Sequence, residues 1–136
     1  MSVKRIEALA DAIGRLNQIS VPESLSYQLR NPLLLKSYAK LGRHFTNTDG
    51  LRVFGSLLAG MKAGLFDLEL KLKGLSRAGL KPTDQLKNLL GCYNIHEKQA
   101  VDSIIAFVRR ALKDDTVSAS TSLDFFLADI DDKGDK

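Results

Sequence analysis

The chain has 136 residues, of which 44% are hydrophobic and 26% are charged, and its formal net charge is +4. This length and composition are typical of one globular domain with a buried core, and they exclude a chain that is disordered throughout. The only cysteine, Cys92, excludes an internal disulfide and any metal site built on several thiolates. We expect one helical domain over residues 1–130, followed by a disordered acidic tail at 131–136.

The first expected helix covers residues 3–19, where apolar residues recur at helical spacing. Those residues are Ile6, Leu9, Ile13 and Leu16. Glu7 and Asp11 interrupt the apolar stretch that a signal peptide would need, so we expect no secretion signal and a cytosolic protein. A second start signal at 20–23 predicts a short helix that ends before Pro32.

Residues 47–63 predict a central core helix. Thr46 and Asp49 have the spacing of a capping box, and most of the residues that follow are apolar. The residues expected to face inward are Leu51, Phe54, Leu58 and Met61. A helix that is apolar nearly all round is typical of a buried position. We therefore expect substitution of Phe54 or Gly55 to unfold the domain.

Gly64 is a typical residue to follow a helix C-terminus, and it predicts the end of the core helix. Residues 66–73 alternate strictly between apolar and charged side chains, as in a strand with one buried face. Leu65, Leu68 and Leu72 also fit a helix. The sequence slightly favours a helix that resumes after a break, with a short β element as the alternative.

The C-terminal half predicts three more helices. A short one begins at Thr83 and ends at Gly91, and a longer one covers residues 94–113. The residues of the longer helix that are expected to face inward are Val101, Ile104, Ile105, Val108 and Leu112. A polar linker at 118–122 precedes a last short amphipathic helix. The predicted fold is therefore mainly α, a single-domain orthogonal bundle of about six helices.

No pattern in the sequence identifies an enzyme active site, a metal site or a cofactor site. The glutamates that could act in sugar hydrolysis are Glu7, Glu23, Glu69 and Glu97. Two of them are explained as helix-capping residues, and the others are expected in solvent. The two histidines lack metal-ligand spacing, and no phosphate-binding loop occurs. We expect no catalytic residues, no bound metal, no cofactor and no small-molecule substrate.

Two segments are candidate binding surfaces. The first is a basic cluster around Tyr38 and Phe45 that could bind nucleic acid or another anion without sequence preference. It consists of Arg30, Lys36, Lys40, Arg43 and His44. The second is the apolar C-terminal helix, which either folds back on its own core or docks on another protein. Its candidate contact residues are Leu123, Phe125, Phe126, Leu127 and Ile130.

The stretch F-T-N-T-D-G-L-R at 45–52 resembles the F-x-S/T-x-x-x-G-I/L-R-A helix entry of small phage-encoded virion-associated or structural proteins. R-N-P at 30–32 resembles the start of their upstream R-N-(N)-P-G-N motif. Residues 83–108 are similar in spacing to their T-x-x-x-I-I-x-x-W-x-P-x-x-E-N-x-x-x-Y-I-x-x-V pattern. Cys92 and Tyr93 stand where that pattern has Trp and Pro.

This resemblance implies a helical fold distantly related to muramidases, in most members without a clear catalytic pair. It leads us to expect a non-enzymatic phage structural or virion-associated protein that binds other virion proteins or itself as a homo-oligomer. The expected location is the virion or the host cytoplasm, with no membrane contact. A degenerate peptidoglycan hydrolase and a sequence-neutral nucleic-acid-binding protein are the alternatives.

Overall fold

The structure, a computed structural model, describes residues 4–36, 50–76 and 78–130. The helices in these ranges are α1 (Arg5–Leu16), α2 (Leu25–Leu29), α3 (Leu57–Leu72), α4 (Leu86–Gly91), α5 (Lys98–Leu112) and a C-terminal 3₁₀ helix (Leu123–Leu127). The extended contacts in the same ranges are two isolated antiparallel bridges, Lys36–Leu51 and Gln85–Ser122. The mainly α class is therefore confirmed. The predicted acidic tail at 131–136 lies outside the described residues.

The centre of the fold is α1, which packs most extensively against α5 and also contacts α3 and the C-terminal 3₁₀ helix. Leu9 and Ile13 on α1 are fully buried. The start of α1 is fixed by the Glu7 carboxylate, which accepts a hydrogen bond from the backbone N–H of Lys4 at 3.2 Å. The prediction that the helix around 47–63 lies at the centre is therefore wrong.

The short helix α2 begins later than the sequence predicts. Its cap is Ser24, whose hydroxyl oxygen accepts from the backbone N–H of Tyr27 at 3.1 Å. The helix ends at Arg30, which adopts a left-handed conformation with a φ of 53°. The start signal at 20–23 instead forms turns ahead of this cap.

The start of α3 also differs from its prediction. Residues 50–56 are not helical, and backbone groups among them pair with the last residue of α2 and with the segment that follows it. The N–H of Arg52 donates to the carbonyl of Leu35 at 2.9 Å, and that of Phe54 donates to Leu29 at 3.0 Å. The cap is Ser56, whose hydroxyl oxygen accepts from the N–H of Ala59 at 3.1 Å.

The predicted cap residues Thr46 and Asp49 lie outside the described residues. At its other end, α3 passes through Gly64 without a break and continues to Leu72. The predicted helix end at Gly64 is therefore wrong. The alternative of a β element at 66–73 is wrong as well, and the i, i+4 pairs Lys71–Asp67 and Lys73–Glu69 show why the alternating charges suit a helix.

The face of α3 that packs inward carries small residues and leucines. Gly60, Gly64, Leu68 and Leu72 are buried. A Cβ atom at Gly60 would lie only 1.8 Å from the carbonyl oxygen of Arg30. The helix tolerates glycine here because another backbone approaches it closely.

The remaining helices end near their predicted positions but begin later, so the predicted starts at Thr83 and Asn94 are wrong. The first of them, α4, is capped by the Asn88 side chain, which accepts from the N–H of Gln85 at 3.0 Å. The second, α5, follows Glu97, whose side chain makes no capping hydrogen bond, and ends before Lys113, which has a left-handed φ of 54°. The predicted inward residues of α5 are confirmed for Ile104, Ile105 and Val108, which are buried.

One hydrophobic cluster runs through the described part of the chain. It takes residues from all of the helices except the short α2, together with Leu33, Leu35 and Phe54 from the segments between α2 and α3. Across residues 4–36, 50–76 and 78–130, the helices are too short or too polar to cross a bilayer.

Candidate functional site

The C-terminal segment that was a candidate protein-binding surface lies against the chain's own core. Leu123 and Phe126 are fully buried, and the N–H of Leu123 donates to the carbonyl of Asp84 at 2.8 Å. The guanidinium carbon of Arg5 lies over the ring of Phe125, 4.1 Å from the ring centroid. Of the two alternatives that the sequence left open, the structure shows the segment folded back.

Phe125, Leu127 and Ile130 are only partly exposed and pack against the same core cluster. An amphipathic helix that docks in a groove needs its apolar face free. With Leu123 and Phe126 fully buried, this segment does not present such a face.

The candidate anion-binding cluster is described only in part. Lys40, Arg43 and His44 lie outside the described residues, whereas Arg30 and Lys36 are exposed. Arg30 ends α2, and Lys36 pairs with Leu51 in an antiparallel bridge. Because Arg52 follows Leu51, the bridge also brings Arg52 near Lys36. Arg52 was not among the anion-binding residues that the sequence predicted.

Lys36 and Arg52 lie on one wall of a cleft of about 560 Å³. The opposite wall is formed by the C-terminal half of α3 and the connection between α4 and α5. Its apolar lining consists of Leu16, Leu34, Leu35, Leu51, Ile95 and Ala100. The cleft therefore combines apolar surface with the cations Lys36 and Arg52 on one side, and its lining also includes Asp67, Lys71 and Glu97.

A polar cluster ties α3 to the α4–α5 connection inside this cleft. The Asp67 carboxylate accepts from the Tyr93 hydroxyl at 2.6 Å and from the Lys71 ammonium at 2.5 Å. The Lys71 nitrogen also lies 4.8 Å from the centroid of the Tyr93 ring. Each charge in this cluster is satisfied within the cluster, as in a structural tie between two elements.

Cys92 borders the same cluster and lines the cleft. The residue is exposed as a whole, but partial burial of its sulfur raises the pKa of the thiol. The Lys71 ammonium opposes this shift, and the Asp67 carboxylate adds to it. A thiol with a raised pKa stays protonated at neutral pH, so Cys92 lacks the activation that a nucleophilic cysteine needs.

The four glutamates considered for sugar hydrolysis lie in different parts of the molecule. Glu7 caps α1, and Glu69 pairs with Lys73 at 2.7 Å. Glu97 precedes α5 without a capping hydrogen bond, and Glu23 is exposed in the turns before α2, so the predicted capping roles of these two glutamates are wrong. Within the described ranges, no group of three or more His, Cys, Asp or Glu side chains is placed to hold a metal ion.

The strongest candidate surface is the set of exposed apolar side chains on α3, which we call the α3 face. It carries large apolar side chains that remain exposed: Leu57 is 46% exposed, Leu58 61%, Met61 44% and Phe66 65%. The sequence predicted Leu58 and Met61 in the core, and the structure corrects both. Single exposed apolar residues are common, but several together on one helix mark an interaction surface.

A groove of about 520 Å³ runs beside this face, between α1 and α3. Its lining is largely apolar and includes Ala10, Ile19, Pro32, Leu33, Leu57, Met61 and Leu65. Two glycines leave room for the side chains of Pro32 and Leu33 beside the groove. A Cβ atom at Gly14 would lie 3.3 Å from the Pro32 side chain, and one at Gly64 would lie 3.1 Å from the Leu33 side chain. Glu7 and Asp11 border the groove on the α1 side.

The apolar residues of α3 are visible in the sequence, but their pattern predicts a helix that is buried all round. In the structure Gly60, Gly64, Leu68 and Leu72 are buried, whereas Leu58, Met61 and Phe66 remain exposed. The polar cluster also had a signal, since Asp67 and Lys71 have i, i+4 spacing. The contribution of Tyr93 depends on tertiary structure and had no local signal.

Comparisons of this chain with protein-family models, with curated proteins and with solved structures give no match.

Proposed function

We propose that this protein is a non-enzymatic component that works through protein–protein contacts, and that the α3 face is its binding surface. The observation that carries the proposal is the exposure of Leu58, Met61 and Phe66 beside an apolar groove. Leaving such side chains in water forgoes about 1.5–3 kcal/mol of burial for each large one. A partner that covers the face would recover much of that free energy.

The resemblance of residues 45–52 and 83–108 to phage virion-associated proteins supports a specific setting. In that setting, the protein assembles with other virion proteins or with itself, in the virion or in the host cytoplasm. The geometry of the α3 face is consistent with that role because assembly proteins need large, apolar contact surfaces.

Co-sedimentation with particles tests this proposal. The wild-type chain, produced in infected cells, is expected to sediment with phage particles, and the double variant Leu58→Ser, Met61→Ser is expected to stay in the supernatant. The matched control is Leu75→Ser, because Leu75 is 69% exposed but lies outside α3 and the groove. If the wild-type chain stays wholly in the supernatant, the virion role is wrong.

Sequence-neutral binding of nucleic acid or another polyanion is a second candidate function. The observation in its favour is the pair Lys36 and Arg52 on one wall of the 560 Å³ cleft. The double variant Lys36→Ala, Arg52→Ala is expected to elute from heparin and from DNA at lower salt than the wild type. Lys87→Ala, Arg110→Ala is the control, since it also removes two cations, which are exposed and lie on α4 and α5 outside the cleft. Equal elution of both variants would contradict this candidate.

A further inference from the structure

We infer, as a step that rests on the proposed function, that the partner of the α3 face is a second copy of this chain. The two copies would bind through the same face, related by a two-fold axis. Such an isologous interface requires one surface to carry both halves of every contact. The α3 face and its groove meet this requirement in shape and in charge.

The shape requirement is met by a ridge beside a groove. Leu58 and Phe66 are eight residues apart on α3, so they lie on one side of the helix and form the ridge. Leu57, Met61 and Leu65 border the groove on the neighbouring side. The 16 residues of α3 span roughly 24 Å, which is long enough to run across a standard protein interface.

The charge requirement is met by acidic residues at the groove and a lysine on the ridge. Asp11 and Glu7 lie on the α1 side. Lys62 follows Leu58 by one helical turn and precedes Phe66 by one turn, so it lies on the ridge, where it is exposed. Within the described part of the chain, neither Asp11 nor Lys62 is in an ion pair.

A two-fold axis parallel to the groove satisfies both requirements together. It places α3 of each copy against α1 of the other, so that Leu58 and Phe66 enter the partner's groove. Lys62 then lies near Asp11 of the partner subunit, and the contact occurs twice in each dimer. An unrelated partner would need its own ridge and its own basic group in the same register, whereas a second copy supplies both.

Sedimentation equilibrium of the purified full chain tests the inference. The wild type is expected to form a reversible dimer. Lys62→Glu and Asp11→Lys are each expected to weaken the dimer about tenfold or more, because each places like charges opposite one another twice. Lys87→Glu is the control charge reversal on α4 and is expected to leave the dimer unchanged. Circular dichroism melting curves that match the wild type show that the variants are folded.

Mixing the two variants gives the sharpest result. In an equimolar mixture of Lys62→Glu chains and Asp11→Lys chains, both contacts of a mixed dimer join unlike charges. The mixture is therefore expected to regain the wild-type dissociation constant to within about threefold. The double variant Asp11→Lys, Lys62→Glu is expected to regain it as a homodimer.

Two outcomes would overturn the inference: a wild-type chain that stays monomeric at all accessible concentrations, or a mixture that associates no better than its separate variants. These outcomes are distinguishable from failure of the proposed function. If the wild type is monomeric but the Leu58→Ser, Met61→Ser variant still loses co-sedimentation with particles, the α3 face binds a different protein. If the wild type dimerises as described but never sediments with particles, the self-association stands without the virion role.

Discussion

The inner and outer faces of α3 carry opposite kinds of apolar residue. The inner face has Gly60 against the backbone of Arg30, and Leu68 fully buried. The outer face has Leu58 and Phe66, both of which are mostly exposed. The two faces show that apolar character all round a helix does not place that helix at the centre of a fold. Leucine occurs on both faces, whereas Gly60 lies where the backbone of another segment approaches.

The largest effect is expected for Gly60→Ala. Its new Cβ atom would lie 1.8 Å from a backbone carbonyl oxygen, which cannot move without displacing the end of α2. We expect a loss of more than about 4 kcal/mol in the free energy of unfolding, measured by urea denaturation.

Gly55→Ala is the matched control for that substitution. Nothing lies within 4 Å of a Cβ atom built at Gly55, so we expect a change within about 0.5 kcal/mol. The structure thereby corrects the expectation that changing Gly55 unfolds the domain. Equal effects at Gly60 and Gly55 would contradict the close approach of the Arg30 carbonyl to α3.

The next largest effect distinguishes the buried face of α3 from its exposed face. Leu68→Ala removes a fully buried side chain and is expected to cost about 3 kcal/mol, whereas Phe66→Ala is expected to cost less than about 1 kcal/mol despite the larger side chain. Thermal unfolding at a concentration that keeps the chain monomeric measures both. A greater loss at Phe66 than at Leu68 would mean that the faces are assigned the wrong way round.

A smaller effect locates the start of α3. Ser56→Ala removes the oxygen that accepts from the N–H of Ala59 and is expected to cost about 1 kcal/mol in unfolding free energy. Ser103→Ala, at an exposed position on α5, is the control and is expected to be nearly neutral. No difference between the two variants would argue that the helix begins elsewhere.

The smallest effect concerns the polar side of α3, at the cleft. Because burial raises the pKa of the Cys92 thiol, the rate of alkylation by iodoacetamide is expected to rise at higher pH in the folded chain than in the urea-unfolded chain. Asp67→Asn is expected to shift the midpoint of the folded chain to lower pH, and Lys71→Met to higher pH, because their charges act in opposite directions. A folded-state midpoint below that of the unfolded chain would contradict the described surroundings of the sulfur.

The sequence predicted elements well where a local signal acts alone. The helix α5 is amphipathic, and its residues Ile104, Ile105 and Val108 are buried as expected. The start of α3 was predicted wrongly because residues 50–54 pair with residues 29–35, a contact that no local pattern encodes. Asn31 strengthens that pairing, since its buried side-chain amide donates to the carbonyls of Leu35 and Arg52, each at 3.0 Å.

For the candidate surfaces too, local sequence signals predict some features and tertiary structure decides the others. The sequence identified the apolar residues of α3, but their exposure depends on which side α1 covers, and that is a tertiary property. Lys36 was identified as a cation, whereas its neighbour Arg52 in the cleft becomes apparent only from the Lys36–Leu51 bridge. Local periodicity gives the list of apolar and charged positions, and long-range pairing decides which of them meet.

The junction between Arg5 and the last described residues sets an order of events in folding. The backbone N–H of Arg5 donates to the Asp129 carboxylate at 2.9 Å, and its guanidinium donates to the carbonyl of Phe125 at 2.9 Å. These contacts join positions that are 124 and 120 residues apart, so nearly the whole described chain must be synthesised before they can form. During synthesis, the side of α1 that the C-terminal 3₁₀ helix covers therefore stays exposed until that helix has left the ribosome.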